Sequence, residues 1–173
     1  LTESAKKFIN PITFESLLGN KVYSNLFSLS QEKEMCHIKL ASNSDAILVI
    51  PCTANFIAKM ANGIADDLSL NVLLASNKIK IIAPAMNTNM FNNEAVKLNL
   101  RSLNKMNVKI LSPKKGKLAC GTVGTGKLME IEEIVEKINN IFSPRELSGL
   151  TAVVTAGPSI EMIDPVRYLS NFS

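Results

Sequence analysis

Ala46-Ile47-Leu48-Val49-Ile50-Pro51 is a continuous apolar run bounded by polar residues, and Lys80-Ile81-Ile82-Ala83-Pro84 and Val108-Lys109-Ile110-Leu111 repeat the pattern. Short apolar runs of this kind predict strands buried on both faces of a parallel sheet. Helical spacing fills the intervals. Ile57, Met60, Ala61 and Ile64 share one face, and Leu98, Arg101, Ser102, Leu103 and Met106 continue another segment. Ile131 to Ile141 is amphipathic, with acidic residues in its first turn as a helix N-terminus prefers.

Strands alternating with helices predict an α/β fold: a doubly wound, Rossmann-like (flavodoxin-like) parallel sheet with helices on both faces. In such sheets ligands bind beyond the carboxyl ends of the strands. Two informative stretches fall there, Pro51-Cys52-Thr53-Ala54-Asn55 and Pro84-Ala85-Met86-Asn87. Ser143-Pro144-Arg145-Glu146-Leu147-Ser148-Gly149 reads as a linker between a first domain, residues 1–142, and a strand predicted from Leu150 to Ala156 with a turn at Gly157-Pro158. At the other end, Thr2 or Ser4 is placed to cap a helix holding Ala5 to Ile9. A nucleotide-binding domain of this class opens with a strand, a small-residue phosphate loop and a helix. The chain is therefore expected to lack its first βαβ unit.

The bulk properties narrow the function. The 173 residues suffice for one α/β domain and the start of a second; 46% are hydrophobic and 20% charged, as in an ordinary folded domain. The net charge of +4 is spread without a dense basic block or interleaved aromatics, which argues against nucleic acid as a partner. Cys36, Cys52 and Cys120 are widely spaced, reading as reduced thiols, and with one histidine a zinc site has almost no ligands. No apolar run reaches the about 18 residues of a membrane span, and the N-terminus does not resemble a signal peptide, so a cytoplasmic protein is expected.

Pro84-Ala85-Met86-Asn87-Thr88-Asn89-Met90-Phe91 is the most informative segment. It puts an amide and two thioethers on the loop leaving a buried strand. An Asn NH₂ group can hold a carboxylate or a ring carbonyl, and Met supplies a soft wall against a flat ring. On the residues alone, a polar turn with methionines filling gaps in the core reads equally well. Asp66 and Asp67 likewise suit a helix cap with a first-turn charge. Gly121, Gly124 and Gly126 lie within six residues, predicting a mobile flap whose backbone can approach a ligand closely.

The Pro84–Phe91 segment closely resembles the PxMNxxMW motif of the flavoproteins that decarboxylate a C-terminal or conjugated cysteine, with Phe91 in place of Trp. Met35-Cys36-His37-Ile38-Lys39-Leu40 is similar to the family's active-site histidine segment. Pro51-Cys52-Thr53-Ala54-Asn55 and Asn62-Gly63-Ile64-Ala65-Asp66-Asp67-Leu68 resemble its flavin-contacting segments. Lys117 to Leu128, with Ala119-Cys120-Gly121 at its head, resembles the substrate-binding clamp. Thr155-Ala156-Gly157-Pro158 and Ile163 to Ser173 look like the opening of the phosphopantothenate–cysteine ligase domain that follows the decarboxylase in bacterial bifunctional members. Ile160 and Met162 depart from that pattern, and Asn171 matches a ligase-site position.

The resemblance implies a substrate, 4′-phosphopantothenoylcysteine, and a cofactor, flavin mononucleotide (FMN). It implies oxidation of the cysteine end to a thioaldehyde, loss of CO₂, and reduction by the same flavin to 4′-phosphopantetheine in coenzyme A biosynthesis. His37, Asn87 and Cys120 are the implied catalytic residues. Thr53, Ala54, Asn55, Asp67, Leu68 and Met86 would contact the cofactor, and Asn87, Met90, Ala119, Cys120 and Gly121 the substrate. A homotrimer or higher oligomer is implied as well. The length implies weak grip on the flavin phosphate and no ligase activity from residues 150–173. The alternatives are an inactive fragment of a split or truncated gene and a non-catalytic flavin-binding or scaffold subunit. A flavin prenyltransferase of similar fold is disfavoured by the PxMNxxM segment and the Cys-bearing clamp.

Overall fold

Ile81 and Ile82 are neighbours in β2 (Ile79–Pro84), so their side chains point to opposite faces of the sheet, and both are buried, at 1% and 0% exposure. This strand is therefore covered on both sides. β1 (Ala46–Cys52) pairs parallel to it from Ala46↔Ile79 to Val49↔Ile82, and β3 (Lys109–Ile110) pairs parallel along its other edge. The computed structural model describes residues 1–25, 36–119, 121–144 and 149–170. Among them the parallel sheet has the order β1-β2-β3.

The chain divides into two units, Leu1–Lys137 and Ile138–Ser173. The first opens with α1 (Glu3–Lys6) and α2 (Pro11–Leu18), then α3 (Cys36–Asn43) before β1. Thr2 caps α1, its hydroxyl accepting from the Ala5 N–H at 3.2 Å, as one of the two predicted capping residues. Two helix pairs make the parallel crossovers: α4 (Ala54–Ala61) with α5 (Leu68–Ala75), and α6 (Thr88–Asn92) with α7 (Glu94–Lys105). The core is aliphatic, with Ile57, Leu70, Leu73, Ile82, Leu103 and Val108 packed together. On α7 the buried positions are Val96 and Leu103, spaced for one helix face, whereas Leu98 and Met106 are exposed. A hairpin of β4 (Lys114–Lys117) and β5 (Val123–Lys127) follows, and α8 (Ile131–Phe142) leads out of the unit. No helix among the described residues is long and apolar enough to cross a membrane.

Two expectations are corrected. The run at 46–51 was predicted to be buried on both faces, yet Leu48 and Ile50 are 38% exposed while Ile47 and Val49 pack on the core. β1 lies at the edge of the described sheet, and the side chains that alternate with Ile47 and Val49 stay partly exposed. Pro51, which has no N–H to give a ladder, coincides with a register shift between Val49 and Cys52. In the second unit, residues 150–156 form no strand, and Val153 and Val154 are exposed. A strand needs a partner for its backbone groups; the partnered segments here are β6 (Ile160–Met162) and β7 (Tyr168–Ser170), antiparallel to each other. Asp164 closes their turn by accepting from the Val166 and Arg167 N–H groups at 2.9 and 2.8 Å.

Leu103 joins α7 to the core beneath the sheet. Leu103→Ala is expected to cost about 2–5 kcal/mol in urea unfolding; a loss below about 1 kcal/mol would contradict this account of the core.

Candidate active site

The carboxyl ends of β1 and β2 are tied together: the Ala85 N–H donates to the Cys52 carbonyl oxygen at 3.1 Å. The loops leaving both strands consequently start side by side. From the first comes Thr53, the N-cap of α4, whose Oγ1 accepts from the Phe56 N–H at 3.3 Å and whose carbonyl accepts from Ile57 at 2.9 Å. Accepting leaves the Thr53 O–H proton as a donor. Ala54 and Asn55 form the first turn of α4, where backbone N–H groups have no acceptor within the helix, and Asn55 is exposed.

From the second strand come Met86 and then Asn87, the N-cap of α6. Asn87 Oδ1 accepts from the Asn89 N–H at 2.8 Å, and its carbonyl accepts from Phe91 at 2.9 Å. With Oδ1 committed to the cap, the other end of the amide is its NH₂, a donor group. Met90 follows on α6 at 48% exposure, a large apolar side chain left beside polar loops.

The β5 part of the glycine-rich stretch is docked on the protein. β5 lies along the Asn87 loop, and the Met86 N–H donates to the Gly126 carbonyl at 3.0 Å. Gly126 has φ 145, and a Cβ there would overlap the Met86 carbonyl oxygen; a Cβ at Gly124 would overlap Thr88 Oγ1. Both glycines approach protein backbone and side chain, which the composition alone did not reveal. The available signal was their i, i+2 spacing, which puts both on one face of a strand. Only Gly121 sits in an exposed turn, at φ 84, where its N–H donates to Leu118 at 2.9 Å while the Leu118 N–H donates to Thr122 at 2.8 Å. Ala119 is exposed in the same turn. Cys120 lies outside the described residues, as does Asn171.

The structure thus brings together Thr53–Asn55, Met86–Met90 and Gly124–Gly126. His37 belongs to a neighbouring pair of elements: it is the second residue of α3, half-buried, and α3 packs against α5. Asp67 caps α5, its Oδ1 accepting from the Leu70 N–H at 2.8 Å, and Leu68 is buried in the first turn. Asp66 instead pairs with Lys59 at 2.5 Å. The hydrogen bond from that ammonium, against slight desolvation, holds the Asp66 carboxyl below its ordinary range.

Cys52 is the core cysteine. Burial pushes its thiol up to about 12, so its thiolate, the reactive form, is suppressed. Chemically, the assembled loops offer hydroxyl, amide and backbone donors around the half-exposed Met90 thioether, with Met86 partly buried against the core. That donor set fits a flat heteroaromatic cofactor with a polar edge.

Residues 1–143 match the family model described as Flavoprotein, and residues 147–173 match the DNA/pantothenate metabolism flavoprotein C-terminal domain. Among curated proteins, the chain is similar to the coenzyme A biosynthesis bifunctional protein CoaBC of Haemophilus influenzae, with 40% identity over 100% of this chain and 44% of the relative. Its similarity to the same-named protein of Bacillus subtilis is 43% identity over 100% of this chain and 43% of the relative. The chain spans less than half the length of these relatives. Among solved structures, it resembles a PPC decarboxylase mutant complexed with pantothenoylaminoethenethiol (TM-score 0.70, 27% identity, 82% of this chain and 80% of that one). It also resembles the FMN binding protein AtHal3 (TM-score 0.71, 28% identity, 82% and 78% covered).

Alkylation of the native protein near pH 8, mapped by peptide mass, is expected to modify the half-buried Cys36 well before Cys52, which reacts only on unfolding. Because the folded pKa of Cys52 is raised from 9.0 to about 12, its contribution to stability is present below about 9 and falls as pH climbs through that window. Comparison with Cys52→Ala isolates the slope. Rapid native labelling of Cys52 would contradict the burial.

Proposed function

The chain belongs to the flavoprotein family, and from that premise we propose that it carries the part of a coenzyme A biosynthesis protein that decarboxylates 4′-phosphopantothenoylcysteine to 4′-phosphopantetheine, with FMN as cofactor. The observation that carries the reading is the setting of Asn87. Its amide stands at the carboxyl end of β2, held by its own cap to α6 and flanked by the docked β5 and the Thr53–Asn55 loop. Likeness to a PPC decarboxylase and to an FMN binding protein supports the same assignment.

FMN, when bound, supplies the two-electron redox couple that makes the cysteine carboxylate easy to lose and the product reducible again. Thr53 contributes its hydroxyl proton, Ala54 and Asn55 their first-turn N–H groups and the Asn55 amide, and Met86 a thioether wall for that cofactor. Asp67 and Leu68 act at its margin, Asp67 by fixing the start of α5. The Asn87 NH₂ group donates to the substrate carboxylate and orients it, and Met90 walls the site. His37 takes and returns a proton, as an imidazole can. The turn holding Ala119 and Gly121 contacts the substrate, with Cys120 returning a proton during the reductive half of the reaction.

The same reading places residues 1–142 in the decarboxylase domain, 143–149 in a linker and 150–173 in the opening of a ligase domain. It places the protein in the cytoplasm, as a homotrimer or a higher multiple. Apolar side chains exposed on one chain, among them Phe8, Leu17, Leu48 and Ile50, support assembly.

The test uses the full-length protein containing this chain, loaded with FMN and given 4′-phosphopantothenoylcysteine. CO₂ release with 4′-phosphopantetheine formation is the expected result, and flavin-loaded protein that releases no CO₂ overturns the proposal. Asn87→Asp keeps a capping oxygen for the Asn89 N–H, so its thermal midpoint should hold. It replaces the donor by a negative charge facing a carboxylate, so turnover should fall on the order of 10²-fold or more. Unchanged turnover removes Asn87 from its assigned place.

A further inference from the structure

Residues 62–66 carry the chain from the end of α4 to the cap of α5, outside any helix or strand. Such a stretch keeps one path only where its backbone polar groups find partners. Its first half is tied back to α4: the Ile64 N–H donates to the Lys59 carbonyl at 3.0 Å, and the Gly63 N–H to Met60 at 3.3 Å. The Lys59–Asp66 ion pair spans the stretch, but on partly exposed surface, where such pairs are weak.

The second half is held from α5 by a single side chain. Asn71, partly buried, donates from Nδ2 to the Ala65 carbonyl at 2.7 Å and to the Asp67 carbonyl at 2.9 Å. These two bonds are not equivalent. The Asp67 carbonyl already accepts from the Asn71 N–H at 3.0 Å, so the second link to it repeats one the helix makes anyway. The Ala65 carbonyl lies outside the helix, beyond the i−4 reach of a helical N–H, and Ala65 itself packs on the core. One amide thus fixes the peptide groups on either side of Asp66. Asp67 and Leu68 follow at once, and α3, which carries His37, packs on the same helix. We propose that Asn71 is a positioning residue for the cofactor: through the Ala65 carbonyl, its amide sets the path into α5 and so where Asp67 and Leu68 meet the flavin. The inference rests on the flavin reading above and deepens it, assigning cofactor placement to a side chain one turn away from the residues at the cofactor's margin.

Two substitutions separate the two bonds. Leu matches the branching of Asn and carries no donor, so Asn71→Leu removes both. A Ser hydroxyl in a helix reaches the i−4 carbonyl, here that of Asp67, and is too short for a carbonyl outside the helix. Asn71→Ser therefore removes the Ala65 bond alone. The full-length protein containing this chain is stripped of flavin and titrated with FMN, following the change in flavin fluorescence, and the thermal midpoint of each apoprotein is measured. Both variants are expected to raise the FMN Kd about ten-fold, the effect of one net hydrogen bond. The Asn71→Ser apoprotein is expected to melt within about 3 °C of wild type. A residue that merely braces the start of α5 would behave differently: with the Asp67 bond kept, Asn71→Ser would bind FMN as wild type does, and Asn71→Leu alone would suffer.

Wild-type FMN affinity in Asn71→Ser overturns the inference. So does an Asn71→Ser apoprotein whose midpoint falls by more than about 3 °C, since the lost affinity would then follow from lost stability. If Asn71→Leu does not fold, Asn71→Ser decides alone on the same two readings. Wild-type protein that takes up no FMN overturns the flavin reading and this inference with it; normal wild-type uptake with unchanged variants overturns the inference only.

Discussion

β2 can neither roll nor withdraw without exposing one of two buried faces, since Ile81 and Ile82 are covered on opposite sides and Pro84 is buried as well. The chain leaves the core only at Ala85, whose N–H is already bonded to Cys52, and Met86 is bonded in turn to Gly126. Between the core and the Asn87 amide there is thus hardly any backbone freedom left. The two-sided burial of one strand becomes, within three residues, the placement of a donor group at the sheet's edge.

Thr53, Asp67 and Asn87 all cap helices, with acceptor distances of 3.3, 2.8 and 2.8 Å. A cap uses an oxygen, whereas the donor end of the group, the hydroxyl proton of Thr53 or the NH₂ of Asn87, is a different atom. A capping acceptor and a donor capacity therefore coexist on one side chain because they draw on different atoms. For Asp67, which has only acceptors when ionised, no such division exists, and its contribution runs through the placement of α5. Lys59–Asp66 and Lys114–Glu133, at 2.5 and 2.8 Å, lie on partly exposed surface, where screening keeps ion pairs weak. They tidy the surface; the site's geometry comes from backbone bonds and packing.

Much of this was legible in the linear order of residues. The unbroken apolar runs at 46–51 and 80–84 marked the strands because such runs have few other ways to be buried, and Thr2, Asp67 and the acidic first turn of α8 marked helix starts because capping is local chemistry. The motifs around Asn87, His37 and Thr53 stood out by their resemblance to segments of a known family, since on residue type alone each also read as ordinary structure.

The tertiary structure alone decided what those elements face. That Leu48 and Ile50 stay half-exposed depends on β1 lying at an edge of the described sheet, and that residues 150–156 form no strand depends on the absence of a described partner beside them. The glycines at 124 and 126 looked like the makings of a loose flap, and only the fold showed them seated on Met86 and Thr88. A propensity is carried by the residue that has it, whereas a pairing edge or a close backbone approach belongs to two segments at once. The sequence by itself determined the strands of the parallel sheet, several caps and the Asn87 motif; the fold decided that the glycine-rich strand is part of what holds that motif in place.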